Sequence, residues 1–155
     1  MNSNHPKPSI VIKNLIKKYG DFIAVNDISL TVEAGKIFGF LGPNGAGKTT
    51  TIKILAGLLQ QDSGDIITNG YDISKNPEKS KFSTGYIPDR PFLYEKLTGI
   101  EFLKFIASLY NLSIDVFEKN TSHLMKLFDL YEWKNHLIES YSHGMRQKLI
   151  MTSAF

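Results

Sequence analysis

Residues Gly42–Thr49 read Gly-Pro-Asn-Gly-Ala-Gly-Lys-Thr, and this stretch decides the fold because it fits the pattern Gly-x4-Gly-Lys-Ser/Thr. The segment before it, Ile37–Leu41, is apolar without alternation, as in a strand of a parallel sheet that is covered on both faces. The segment after it, Thr49–Leu59, carries apolar residues at helical spacing. The amides of the glycine turn and the positive end of that helix would converge on one point, where an anion can bind. The sequence therefore predicts a phosphate loop between a strand and a helix.

The chemistry of a bound nucleotide predicts a role for each residue type in this loop. Glycines let a phosphate approach the main chain, since a side chain would hold it away. Lys48 is expected to reach the β- and γ-phosphates of ATP, the Thr49 hydroxyl to coordinate Mg²⁺, and Thr50 to cap phosphate oxygens. The alternative is a glycine-rich turn without a ligand. The predicted nucleotide-binding residues of the loop are Gly42, Pro43, Asn44, Gly45, Ala46, Gly47, Lys48, Thr49 and Thr50.

Composition excludes several classes of protein. The 155 residues are 42% hydrophobic and 21% charged, which is typical of a folded globular domain. A net charge of +3 is too small to indicate nucleic-acid binding. Cysteine is absent, which excludes disulfides and thiolate chemistry and fits an intracellular compartment. No apolar run approaches the roughly 20 residues of a membrane span, and the polar start does not resemble a signal peptide.

The remainder of the first half predicts strands and turns. Ser9–Leu15 and Ile28–Glu33 alternate apolar and polar residues, as two antiparallel, half-buried strands do. Further strands are expected at 65–68 and 84–87, with a turn at Asn69-Gly70 between them. The phosphate loop would therefore sit in an α/β core that carries an additional antiparallel β layer.

From Thr98 onward the pattern is helical, with two apolar stripes and a last helix that begins near Gly144. We therefore interpret residues 1–155 as one nucleotide-binding domain. It divides into a β and phosphate-loop core at 1–97, a helical subdomain at 98–143 and the start of a further helix at 144–155.

Two other kinds of phosphate-loop protein are disfavoured. A guanine-specific GTPase needs Asn-Lys-x-Asp and Asp-x-x-Gly, and neither pattern occurs in this sequence. Small-molecule kinases clamp several phosphates with arginines, because the guanidinium fork matches phosphate oxygens. This chain has only Arg90 and Arg146.

Over about Ile10–Phe155 the chain resembles the ATP-binding subunit of ATP-binding-cassette (ABC) transporters. The order of Lys17–Gly20, Ala24–Leu30 and Gly35–Leu41, running into the phosphate loop, carries the resemblance first. In that family the aromatic residue at the position of Tyr19 stacks on adenine, which a flat tyrosine ring suits. The other interpretation of Tyr19 is a hairpin residue packed on its own sheet.

Two later segments extend the resemblance. The family places glutamine at the position of Asp89, where it touches Mg²⁺ and the attacking water; here an aspartate keeps an oxygen ligand, or is a solvated loop residue. Tyr141–Leu149 is similar to the family signature Leu-Ser-Gly-Gly-Gln-x-Gln, with Ser142 and Gly144 among its matches. In the family this element closes over the γ-phosphate held by the opposite subunit, which implies a nucleotide-dependent homodimer. Ser142 is also expected as a plain helix N-cap, and both roles are compatible.

The resemblance implies an α/β P-loop NTPase fold with an antiparallel β subdomain and an inserted helical subdomain. Its function would be to bind ATP and Mg²⁺ on the inner face of the cell membrane and to drive a separate membrane permease. The signature variant and the carboxylate at Asp89 are similar to exporters of drugs, antibiotics or lipids. An importing subunit and a non-transport ABC protein are the alternatives.

Hydrolysis in that family needs an apolar strand ending in Asp-Glu and a later histidine, both after the signature, and neither is present here. We therefore expect the C-terminal part of the core to be missing and no complete set of catalytic residues to exist, with Asp89 as the one candidate. The 155-residue chain alone is expected to bind ATP but hydrolyse it poorly, because no base activates water.

Overall fold

Two long antiparallel strands near the start of the chain form one side of a four-stranded sheet. The computed structural model describes residues 7–89 and 92–155. Strand β1 (Ile10–Tyr19) pairs with β2 (Phe22–Val32), and the pairing runs from Ile10 opposite Val32 to Tyr19 opposite Phe22. On its other edge β1 pairs with β3 (Ser63–Thr68), and β3 pairs with the short β4 (Tyr71–Asp72). The antiparallel layer predicted from alternation is therefore confirmed, in the order β2-β1-β3-β4.

The predicted strands at Ile37–Leu41 and 84–87 are wrong, since neither segment belongs to the sheet of the described residues. Ile37 and Leu41 are almost fully exposed, at 105% and 91% of their accessible surface. A parallel strand exists only where neighbouring strands pair with its main chain, and the described residues supply no such neighbour here. An apolar run is thus not enough to form the strand.

Helix α1 (Lys48–Leu55) follows the phosphate loop, as predicted, but ends four residues earlier than the sequence pattern indicates. Its chain turns at Gly57, whose φ of +67° ends the helix. The buried face holds Thr51 and Ile54, whereas Ile52 is 42% exposed. The buried apolar residues of this first unit are Ile12, Leu15, Val25, Ile54, Ile66 and Ile73.

Contacts divide the chain into two units between Gly85 and Tyr86. The first ends with the short helix α2 (Pro77–Phe82). The second contains α3 (Gly99–Leu109), α4 (Ile114–Leu127) and α5 (His143–Ala154), which pack against one another. Its buried apolar residues are Leu93, Phe102, Leu103, Met125, Leu130, Ile138, Tyr141, Leu149 and Ile150. The helical character predicted from Thr98 onward is confirmed.

Helix α3 begins with a complete capping box. The Glu101 amide donates to the Thr98 hydroxyl at 3.3 Å, and the Thr98 amide donates to the Glu101 carboxylate at 2.8 Å. The Thr98 amide, aided by the Thr98 hydroxyl, holds the pKa of Glu101 below its usual range. The two residues satisfy helix amides that would otherwise lack a partner.

Within residues 7–89 and 92–155, none of the helices has the length and apolar character needed to cross a bilayer.

Candidate nucleotide-binding site

The phosphate loop closes around the ammonium group of its own lysine. Lys48 Nζ donates to the carbonyl oxygens of Gly42 and Pro43, each at 2.7 Å. Across the turn, the Ala46 amide donates to the Pro43 carbonyl at 3.3 Å. Residues from Gly42 to Ala46 are exposed, so the mouth of the loop faces solvent. The result is an open loop with a fixed positive charge beside it.

Helix α1 begins without the side-chain cap that α3 has. Its N-cap is Gly47, no side chain bonds the free amides of the first turn, and that turn has no acidic residue. These amides and the positive end of the helix dipole therefore lack a negative partner within the helix. An anion placed at this point would receive main-chain hydrogen bonds together with the charge of Lys48. The loop thus has the electrostatics of a phosphate site.

The loop is positioned by its contact with β2. Gly47 has a φ of +80°, and a Cβ added there would collide with the carbonyl oxygen of Ala24 and approach the Val25 side chain. Val25 lies opposite Lys17 on β1. Tyr19 is two residues farther along that strand, which is about 7 Å at the usual rise per residue. The phosphate loop and Tyr19 therefore belong to the same end of the β1-β2 hairpin.

The ring of Tyr19 is half exposed, at 51%, at the last pair of the hairpin. Lys17 Nζ lies 5.8 Å from the ring centroid and also pairs with Asp62 at 3.0 Å. The ring therefore is not buried in the core of its own sheet, and it offers an apolar surface to a ligand.

Thr49 and Thr50 occupy the first turn of α1, where Thr49 is exposed and Thr50 is half-buried. A threonine hydroxyl is a hard oxygen ligand that suits Mg²⁺, which usually keeps waters and takes phosphate oxygens as well. Among the residues that the structure describes, no group of three or more His, Asp or Glu side chains forms a metal site.

The remaining predicted site residues lie in the second unit. Asp89 is exposed in a bend. Ser142 is the N-cap of α5, and its hydroxyl accepts a hydrogen bond from the Met145 amide at 3.3 Å. Gly144 is exposed, and a Cβ there would meet no atom within 4 Å. The N-cap role of Ser142 is thus observed, while its exposed position leaves the hydroxyl accessible.

Arg146 organises this region, and the sequence did not indicate its role. Its Nε donates to the Tyr141 carbonyl and its Nη2 to the Glu139 carbonyl, both at 3.1 Å. Its Nη1 pairs with the Glu95 carboxylate at 2.5 Å. The contact with Glu95 spans 51 positions of sequence, so no local pattern could have indicated it.

The sequence comparisons decide the family. The family model for the ABC transporter matches residues 25–155. The chain belongs to the ABC transporter family. This ABC transporter chain is 37% identical to the linearmycin resistance ATP-binding protein LnrL of Bacillus subtilis (strain 168) over 92% of its own length and 46% of that protein. It is 35% identical to the probable multidrug ABC transporter ATP-binding protein YbhF of Escherichia coli (strain K12), over 92% of its own length and 25% of that protein.

The fold comparison agrees. A solved ATP binding subunit of an ABC transporter is 34% identical to this chain and matches it with a TM-score of 0.86, over 94% of this chain and 60% of that one. The predicted α/β P-loop fold of ABC ATPases, present in part, is therefore confirmed. The ABC chain spans less than half of each of the two curated relatives and covers only part of the family's ATP-binding domain.

Proposed function

We propose that this chain is the ATP-binding part of an ABC transporter subunit that couples ATP to the export of a drug, antibiotic or lipid. The observation that carries the proposal is the phosphate loop, in which Lys48 is held at the open mouth and α1 begins without a side-chain cap. In the proposed complex, the loop amides and Lys48 bind the triphosphate, and the Thr49 hydroxyl coordinates Mg²⁺. The adenine base stacks on Tyr19. Bound Mg²⁺ would offset phosphate charge.

Export is favoured over import by the relatives. One is named for resistance to linearmycin and another as a probable multidrug transporter protein. Transport would require a membrane permease, since the chain belongs to the ABC transporter family and these relatives are named as its ATP-binding proteins. The chain would then work at the cytoplasmic face of the membrane as a peripheral subunit.

A row of exposed aromatic side chains in the second unit supports a protein partner. Phe92 meets Tyr94 edge to face with ring centroids 5.6 Å apart, and Tyr94 meets Phe105 in the same way at 5.5 Å. Phe92 is 80% exposed. Exposed aromatic clusters are enriched at protein interfaces. We assign this row, whose first member Phe92 lies three residues beyond Asp89, to contact with the permease.

The signature region supports a nucleotide-dependent homodimer. Ser142 and Gly144 are exposed at the start of α5, whose first turn has no acidic residue. An anion would therefore meet the positive end of this helix, as it would at α1. In the proposed dimer, Ser142 and Gly144 of one chain contact the γ-phosphate held by the phosphate loop of the other.

Binding and hydrolysis are proposed to be separate properties of this chain. Asp89 is the only predicted catalytic candidate, and a general base must reach the attacking water to activate it. We therefore expect tight Mg-ATP binding with very slow turnover, and we assign complete hydrolysis to an assembly that adds a base.

The proposal is tested by a phosphate-release assay run beside a nucleotide titration of the purified 155-residue chain. Binding that Lys48→Ala abolishes, with turnover no faster than in Lys48→Ala, is the expected result. Robust turnover that Lys48→Ala abolishes would contradict the separation of binding from hydrolysis. If the protein has a non-transport role instead, a host that expresses the intact gene together with its permease should show no change in resistance to drugs or antibiotics.

A further inference from the structure

We propose that Arg146 is the positioning residue that holds Ser142 in place for the γ-phosphate of the opposite chain. The inference rests on the proposed function, since it concerns the homodimer assigned there. Arg146 does not touch the nucleotide in this account. Its side chain acts through the main chain that leads into Ser142.

Arg146 contacts the residue that precedes Ser142. Arg146 Nε donates to the Tyr141 carbonyl at 3.1 Å, and the Arg146 amide donates to the Ser142 carbonyl at 3.0 Å. The Tyr141 side chain is buried, and its hydroxyl donates to the Trp133 carbonyl at 2.7 Å. The peptide that leads into the helix cap is therefore fixed from both sides, which restricts the direction of the Ser142 hydroxyl.

The same guanidinium also joins the signature to a segment that is distant in sequence. Nη1 pairs with the Glu95 carboxylate, while the Glu139 amide donates to the Glu95 carbonyl at 3.0 Å. The Ile138 amide donates to the Leu97 carbonyl at 2.9 Å. The segment directly after Tyr94 of the aromatic row is thus tied to the residues that precede Ser142. A displacement of the aromatic row would reach the signature through these bonds.

Only an arginine can make this set of contacts. Its three nitrogens reach three acceptors, two on the segment before Ser142 and one on Glu95, whereas a lysine offers a single ammonium group on a flexible stem. The side chain is 29% exposed, so part of the network is shielded from water. Arg146→Lys should therefore keep the charge and lose the positioning.

The test separates nucleotide binding from nucleotide-dependent association. Mg-ATP affinity is measured by calorimetry on the dilute 155-residue chain, and self-association by sedimentation velocity at saturating Mg-ATP. Arg146→Met and Arg146→Lys should leave the affinity within about twofold and weaken association at least tenfold. Lys96→Met is the matched control, because it removes the neighbouring exposed pair and leaves the contacts of Arg146 in place; its association should match that of the parent chain. Circular dichroism checks that each variant is folded.

A double-variant cycle distinguishes positioning from general stability. If Arg146 acts through Ser142, then Arg146→Met should have little further effect on association in a Ser142→Ala background. Additive losses, or unchanged association in Arg146→Met, would overturn the inference. A parent chain that binds Mg-ATP yet stays monomeric would also overturn it while leaving the phosphate-loop function intact. Failure to bind Mg-ATP at all would overturn the proposed function itself.

Discussion

The carbonyl oxygen of Ala24 occupies the space that a Cβ at Gly47 would need, so β2 and the phosphate loop meet main chain against main chain. This contact, together with the φ of +80° at Gly47, sets where α1 begins relative to the hairpin. The loop is thereby held against a sheet strand, although the apolar segment before it is not part of the sheet.

Gly47→Ala should damage the loop more than Gly45→Ala does. Both glycines have a φ near +80°, at which a side chain is strained by about 1 kcal/mol or more, but a Cβ at Gly45 meets no atom within 4 Å. The difference between the variants therefore isolates the collision with Ala24. We expect Gly47→Ala to lower Mg-ATP affinity at least tenfold beyond the loss in Gly45→Ala, as measured by calorimetry. Equal losses would show that the contact with β2 does not position the loop.

Tyr19→Ala should weaken binding of ATP but not of inorganic triphosphate. Stacking of a base on an aromatic ring contributes about 1–3 kcal/mol, which corresponds to roughly fivefold to 150-fold in affinity. Tyr71→Ala, which removes another exposed tyrosine from the same unit, should change neither affinity. Titrations with ATP and tripolyphosphate measure both. Equal weakening of the two ligands would place Tyr19 outside the adenine site.

The capping box predicts an acid-dependent loss of stability. The pKa of Glu101 is lowered by the Thr98 amide, so the ionised carboxylate stabilises the folded state above the usual glutamate range of about 4.3. That stability is lost as the pH falls through the lower folded-state pKa. Parent chain and Glu101→Gln should therefore differ in melting temperature at pH 7 and converge once the pH falls below the lowered folded-state pKa of Glu101. Glu118→Gln, which removes an exposed charge of α4 without removing a cap bond, should not show this convergence.

Gly99→Ala should destabilise the second unit. A Cβ at Gly99 would collide with the Tyr141 hydroxyl, which donates to the Trp133 carbonyl in a partly buried position. Burial raises the pKa of Tyr141, so the hydroxyl stays protonated and keeps donating at neutral pH. Loss of this bond together with steric strain should cost about 1–3 kcal/mol.

Denaturant unfolding followed by Trp133 fluorescence measures the effect of Gly99→Ala, since Trp133 is the single tryptophan of the chain. Gly144→Ala is the control, because a Cβ there meets open space and alanine favours a helix. It should unfold at the same or a higher denaturant concentration than the parent. A Gly99→Ala variant as stable as the parent would show that Tyr141 can shift without cost.

Local patterns predicted the elements that are stabilised locally. Alternation in β1 and β2 is read from neighbouring residues, and the Ser142 cap of α5 lies one residue before its helix. The strand predicted at Ile37–Leu41 was wrong because a strand needs a paired neighbour, and the sequence of the segment does not specify that neighbour. The segment is apolar, but without a partner strand Ile37 and Leu41 are left exposed.

The spacing of its residues predicted the phosphate loop, but the sequence did not predict the contacts that surround the loop. Gly47 and Ala24, whose main chains are in close contact, are 23 positions apart in the sequence, and the paired residues Arg146 and Glu95 are 51 apart. Such contacts are set by which strands and helices pack together. The roles assigned to Tyr19, Asp89 and Ser142 remain predictions, since their placement permits nucleotide contact without demonstrating it.

The most direct test of the account is calorimetric titration of Mg-ATP into the folded 155-residue chain, with Lys48→Ala and Lys53→Ala titrated in parallel. Lys48 is held at the loop mouth by the Gly42 and Pro43 carbonyls, whereas Lys53 lies exposed in the last turn of α1. We expect saturable binding that Lys48→Ala weakens on the order of a hundredfold and Lys53→Ala leaves within about twofold. Absence of binding by the folded parent chain, or equal binding by Lys48→Ala, would contradict the assignment of this loop as a nucleotide site.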